Sequence, residues 1–188
     1  HADVAESQEQ IDRLTPGADA MPAQGLSIGV GASSGGDFTA GGARLTGRYL
    51  HQMSDTDWFD GGLSLTVGGG GAGCMQIDGA AMMCDHGAAS GSSAEMVMSV
   101  RRMFDGRGGM VPFARVGVAA RMTRFSDDDV TGFSLPAVLA GGVRARLNRN
   151  VAVGAEAQVD AGPGWFGNGT RTTLQLGFGV TALAEFGL

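Results

Sequence analysis

The sequence predicts an all-β fold, an eight-stranded antiparallel up-and-down transmembrane β-barrel with short periplasmic turns and longer extracellular loops. Three observations predict it. Apolar residues recur at every second position through eight successive segments, from Gly25 to the end of the chain. The alternate positions carry mostly glycine, serine, threonine and arginine, where a water-facing sheet would carry lysine and glutamate. The connections alternate in character, tight at one end and longer at the other, as in barrels that cross a bilayer.

The segments follow in order. Leu26, Ile28 and Val30 alternate with Ser27, Gly29 and Gly31, and Ala43, Leu45, Gly47 and Tyr49 with Arg44, Thr46 and Arg48. Phe59, Leu63, Leu65 and Val67 alternate with Asp60, Gly62, Ser64 and Thr66, and Met96, Met98 and Val100 with Glu95, Val97, Ser99 and Arg101. Ala114, Val116, Val118 and Ala120 are set against Arg115, Gly117, Ala119 and Arg121, and Leu135 to Ala145 against Val138, Gly142, Arg144 and Arg146. Val151 to Val159 and Leu174 to Ala182 complete the set. Residues 105–109 and 148–150 read as tight turns, and residues 51–57 as a slightly longer link on the same side. On the other side lie loops at 69–92, 124–129 and 160–169, and a short one near Ser33–Asp37. The domain division expected is an acidic periplasmic segment over 1–23 and a barrel over 24–188.

Composition excludes several classes. The 188 residues include 34 glycines with no period of three, so the chain is not collagen. At 43% hydrophobic and a net charge of −6 it is not a disordered polyelectrolyte. No stretch long enough to span a bilayer as a helix is free of helix-breaking glycine. All 13 cations are arginine, planar forks suited to buried carboxylates, and they form no basic nucleic-acid footprint. Residues 1–23 hold an acidic stretch in which Val4, Ile11 and Leu14 share one face of a short helix ended by Pro16 and Pro22.

Alternation alone does not say which face is wet. Aromatics gather near strand ends, Tyr49, Trp58, Phe59 and Phe104 on the turn side and Phe38, Phe125, Phe133, Trp165 and Phe166 on the loop side, as two interfacial girdles would. On this register Arg44, Arg48, Arg101, Arg115, Arg121, Arg144, Arg146 and Arg171 point inward with Asp60, Glu95, Glu156 and Asp160. Buried charges must pair, so a lumen of arginine–carboxylate bonds is expected, with the surplus arginines solvated or neutralised by water or anions. Arg102 falls on the lipid face near the turn end, where it can snorkel.

Cys74 and Cys84 lack the spacing of a redox pair and have only His86 nearby as a further soft ligand, so a local disulfide is expected, contributing about 3 kcal/mol by loop entropy. It implies an oxidising compartment. The chain opens at His1 without a leader, and a mature exported protein is expected.

Two segments carry a family resemblance. Residues 136–160 join a Gly-Gly-Val-Arg-Ala-Arg strand through a tight Asn-Arg-Asn turn to a strand bearing the inward Glu156, and residues 112–121 form a similar alternating strand. Both resemble the outer-membrane protein A-like and opacity-type β-barrel family. The chain end, from Leu176 through Phe186 to Leu188, resembles that family's terminal assembly signal, with Leu188 standing where an aromatic is usual. The resemblance covers residues 25–188 and implies a bacterial outer-membrane location with a periplasmic N-terminus. A following peptidoglycan-binding domain is not expected, so the anchoring role of longer relatives is not implied.

Catalytic chemistry finds little support. His51 lies near Asp55 and Asp57, and His86 beside Asp85 with Ser90, Ser92 and Ser93 downstream, yet no nucleophile–histidine–carboxylate set is evident. Gly68 to Gly73 lacks the lysine of a phosphate loop and reads as a flexible hinge, and Asp127, Asp128 and Asp129 read as a solvated acidic loop ahead of a calcium site, which would require six to eight oxygen ligands. No cofactor and no metal are expected. Met75, Met82 and Met83 in the cysteine loop, with Trp165 and Phe166, form a candidate partner-binding surface. The expectation is a barrel with a structural or interaction role: envelope integrity, surface attachment or scaffolding through its loops and N-terminal segment. The alternatives are, in order, a narrow porin-like channel for small solutes or anions, an outer-membrane lipid-modifying enzyme, and a soluble ligand-binding barrel. Expected partners are outer-membrane lipid and lipopolysaccharide, another envelope protein or further copies of the chain, and no nucleic acid.

Overall fold

The computed structural model describes residues 22–35, 38–71, 73–75, 83–106, 109–127, 129–167 and 172–188, with only the backbone described at 74–75 and 83–84. Residues 1–21, Asp128, Met82 and Arg171 lie outside the described residues.

The strands are β1 (Gln24–Ser34), β2 (Gly42–Gln52), β3 (Asp57–Val67), β4 (Gly73–Met75), β5 (Met83–Asp85), β6 (Ser92–Met103), β7 (Met110–Phe125), β8 (Val130–Ser134), β9 (Ala137–Arg146), β10 (Val151–Phe166) and β11 (Thr172–Gly187). Short β4 and β5 pair only with each other. The other nine form one antiparallel ring, each paired with its sequence neighbours, and β11 closes it by pairing with both β10 and β1. Strands β8 and β9 are one wall position interrupted at Leu135 and Pro136, so the ring has eight staves. Pro136 has no N–H to donate, and Pro163 stands nearby on β10, so the ladder thins there. The fold is a transmembrane β-barrel.

Its polarity is inverted relative to a soluble protein. Leu45, Leu63, Val116, Leu139, Leu174 and Leu176 are more than half exposed on the outer wall, whereas Arg101, Asp60 and Glu185 are fully buried inside. Only a surrounding apolar solvent makes that arrangement stable.

Three expectations change. Strand β10 continues to Phe166 and pairs with β11 as far as Trp165 opposite Thr172, so residues 160–166, expected as loop, are wall. Trp58, Phe125 and Phe166 do not face outward with the girdles. Trp58 is buried with Leu50, Met103, Phe113 and Leu183 in an apolar plug at the turn end. Phe125 is buried at the loop end, and half-buried Phe166 lies over Gly132. The outward aromatics that remain include Tyr49, Phe104 and Phe186 on the turn side and Phe133 and Trp165 on the loop side, the last two stacked 6.4 Å apart. Finally, only four residues, 126–129, join β7 to β8 and five, 167–171, join β10 to β11, no more than in the longest connection at the opposite end, and the 68–91 connection is the long one.

Candidate functional site

The interior is the one place where many charged side chains converge. Strands β2, β3, β6, β7, β9, β10 and β11 each send a charged residue inward, because period two fixes every second side chain to that face.

On the turn side Asp60 accepts from Arg101 Nε at 2.9 Å and lies 3.8 and 3.9 Å from Arg48 and Arg115. Glu185 accepts from Arg101 and, at 3.0 Å, from Arg144. Glu156 is clasped by two bidentate forks, Arg48 at 3.0 and 2.8 Å and Arg115 at 3.1 and 2.7 Å. The guanidinium of Arg101 also lies 4.5 Å over the Phe113 ring, and that of Arg144 5.9 Å over Trp58, so the apolar plug and the charges are in contact.

On the loop side Glu95 accepts from Arg44 at 2.7 Å and from Arg121 at 2.8 Å, and Arg121 reaches Asp160 at 2.8 Å. Gln158 joins the two halves, accepting from Arg115 at 2.9 Å and donating to Asp160 at 3.4 Å. Hydrogen bonds and ion pairs together therefore connect Arg144 to Arg44. A space of about 10 Å³ lies beside Arg44, Glu95, Arg121 and Asp160, about enough for one water.

At the loop end the 68–91 connection is tied to the first loop and to itself. Gly35 and Gly41 donate backbone bonds of 3.0 Å to Ala88 and Ser90, and Gly68 and Gly70 donate to Gly91 and Ala89 at 2.7 and 2.9 Å. Gly41 is needed for this approach, since a Cβ there would lie 1.9 Å from the Ala88 carbonyl oxygen. The glycine run expected as a hinge is thus pinned at Gly68 and Gly70. Just past β5, buried His86 lies flat against buried Phe125, ring centroids 3.8 Å apart.

Among the predicted lumen residues, Arg44, Arg48, Asp60, Glu95, Arg101, Arg115, Arg121, Arg144, Glu156 and Asp160 are brought together. Arg146 is not: it is exposed at the turn rim, beyond the last inward layer. Sequence reasoning missed Glu185, although carrying the period from Thr181 through Leu183 reaches it. With Glu185 counted, the buried interior holds six arginines and five carboxylates among the described residues, close to neutral rather than strongly cationic.

The other candidates separate. The backbones of Cys74 and Cys84 face each other across the β4–β5 ladder, with Met75 opposite Met83. Trp165 and Phe166 are on β10, away from that hairpin in sequence and on the wall. The Ser90 hydroxyl has no hydrogen-bond partner, so it forms no dyad with His86. Exposed His51 stacks on Tyr49 at 6.5 Å. Among the described residues no group of histidine, cysteine and carboxylates is arranged to hold a metal.

At the turn rim, outside the apolar band, Arg102 and Asp57 form a separate bidentate pair of 2.8 and 2.9 Å. The hydrogen bond from Arg102 holds the Asp57 carboxyl below its ordinary value.

A closed ring of eight staves with an outward apolar wall and a filled interior is the architecture of known small outer-membrane barrels. The chain has their fold. It superposes on the crystal structure of Neisserial surface protein A with a TM-score of 0.63 and 10% identity, covering 88% of this chain and 97% of that one. Outer membrane protein OprG from Pseudomonas aeruginosa matches with a TM-score of 0.55 and 9% identity, covering 90% and 98%. No protein-family model matches the sequence, and no curated protein matches it.

Proposed function

We propose that the protein is a non-conducting barrel of the bacterial outer membrane that acts through its outer wall, its loops and its N-terminal segment, in envelope integrity, surface attachment or scaffolding of a partner. The observation that carries this reading is the filled interior. Two sets of buried arginine–carboxylate pairs joined through Gln158 run from Arg144 to Arg44, with an apolar plug at Trp58 and Leu183 below them and His86 on Phe125 above, and the space beside Arg44 and Glu95 holds about one water. Moving a solute through would break several buried pairs at once.

Fold likeness to a Neisserial surface protein and to an outer membrane protein supports the location. Membership of the outer-membrane protein A-like and opacity-type family, a periplasmic N-terminus and contact with lipopolysaccharide belong to the same reading. So does a disulfide between Cys74 and Cys84, whose directly opposed backbones suit a short cross-link. It would staple the longest loop as a protruding hairpin offered to another envelope protein or a second copy.

The test is conductance of the purified protein in planar bilayers. Silence at the lipid baseline is expected. Reproducible steps would replace this reading with the narrow channel. Deleting residues 76–82 is expected to abolish partner association while leaving the heat-dependent gel shift of the barrel intact.

A further inference from the structure

Outward-facing charge is rare on this wall, and where it occurs it sits at the ends. Ala114 on β7 stands opposite Arg102 on β6, and β7 reaches its own outward arginine at Arg124. The intervening run of strand, at about 3.3 Å per residue, is roughly 33 Å long. With a strand tilt of about 40° it rises about 25 Å, the height of a barrel's apolar band. Arg102 and Arg124 therefore mark its two edges.

At the Arg102 edge the wall is indented. A groove of about 540 Å³ runs along the outside, with Val100, Phe104, Val116 and Leu139 among its walls and Arg102 and Asp57 at its turn-side end. All four apolar walls are exposed. The volume falls within the roughly 300–1,000 Å³ of small-molecule sites. A larger groove of about 760 Å³ elsewhere on the wall has no outward charge at either end of its lining.

The charged end has a specific form. Arg102 binds Asp57 through Nε and Nη2, while Nη1 makes no bond to it. Among the described residues the Asp57 oxygens accept these two bonds and one from the Ser54 hydroxyl at 3.3 Å, which leaves lone pairs on both. The pair thus offers one cation and one anion side by side, over half of the Arg102 side chain being exposed. A purely anionic headgroup would be drawn by Arg102 and repelled by Asp57. A headgroup that itself carries both charges satisfies both.

We propose that this groove is a binding site for a zwitterionic, ammonium-bearing phospholipid. Its phosphate is held by Arg102, its ammonium by Asp57, and one acyl chain lies along Val100, Val116 and Leu139. The proposal rests on the bilayer-facing reading of the outer wall and goes beyond it by naming a lipid class and a place.

The test is native mass spectrometry of detergent-purified barrel titrated with dioleoyl phosphatidylethanolamine or dioleoyl phosphatidylglycerol. Each variant is first checked for the heat-dependent gel shift that reports a closed barrel. The unaltered protein is expected to retain phosphatidylethanolamine about fivefold more tightly than phosphatidylglycerol, a difference of about 1 kcal/mol. Asp57→Asn reverses the order, because the cation then stands alone. Arg102→Ala weakens both lipids. Equal retention of the two lipids by the unaltered protein, or undiminished retention of both by folded Arg102→Ala, overturns the site. Failure of the bilayer reading itself shows differently, as protein that remains dispersed without detergent.

Discussion

Arg101 and Arg102 are adjacent in the chain, lie on the same strand, and each bonds an aspartate of β3, yet they belong to different solvents. Arg101 points inward to Asp60, and both side chains are wholly buried. Arg102 points outward to Asp57 across the rim, with most of its side chain exposed. The bonds are alike in chemistry and length, 2.9 Å against 2.8 Å from Nε. Their consequences differ because an interior charge that loses its partner has no water to turn to, whereas a rim charge does.

The largest effect is therefore expected at the interior member. Arg101→Ala removes a partner from both Asp60 and Glu185 and leaves the Phe113 ring without its cation, so it should destabilise by about 3–5 kcal/mol, as breaking buried pairs does. Urea unfolding in lipid vesicles, followed by tryptophan fluorescence, reads this directly. Arg102→Ala in the same assay should move the midpoint only slightly. Equal losses for the two would mean that the inner bonds are as well hydrated as the rim bonds.

The comparison sharpens within the interior. Glu95→Gln leaves Arg44 with its hydrogen bond to Ser64 and Arg121 with Asp160, and it places them beside the small water-sized space. A smaller loss of roughly 1–3 kcal/mol is expected, the cost of an imperfectly satisfied buried group. Gly177→Ala probes the same half by shape alone. A Cβ there would meet the Asp160 carboxylate at 2.8 Å and push it from Arg121. The expected loss is about 1–3 kcal/mol of overpacking, and it should shrink in the Asp160→Ala background.

How much of this was legible in the sequence follows from which features period two can carry. It places a side chain on a face, so Arg44, Arg48, Asp60, Glu95, Arg101, Arg115, Arg121, Arg144, Glu156 and Asp160 were readable as inward. Arg146 obeys the same parity but lies one layer past the interior, because parity contains no height. Trp58 and Phe125 misled for a related reason. Aromatics near strand ends suggest interfacial girdles, but these two have inward parity, and a barrel this narrow needs large side chains to stopper its ends. Glu185 was hidden by the terminal apolar pattern around it, which drew attention to Leu183, Phe186 and the outward face. The partners within the network were not readable at all, since Arg48 meets Glu156 across the lumen from a distant strand.

The smallest expected effect concerns pH at the rim. Arg102 holds the Asp57 carboxyl below its ordinary value of 3.8, so folding favours the ionised form. The stabilisation is fully present above the ordinary value and is lost as pH falls through the lowered one. Because the pair is exposed and screened, its contribution is slight. Interior carboxylates also titrate in acid, so the informative quantity is the difference in unfolding midpoint between the unaltered protein and Asp57→Asn. That difference should stay constant from pH 7 down to about 4.5 and narrow below it. A difference that instead changed between pH 7 and 5 would place the titrating group elsewhere, and a larger one in low salt would assign it to long-range charge rather than to the Arg102 bond.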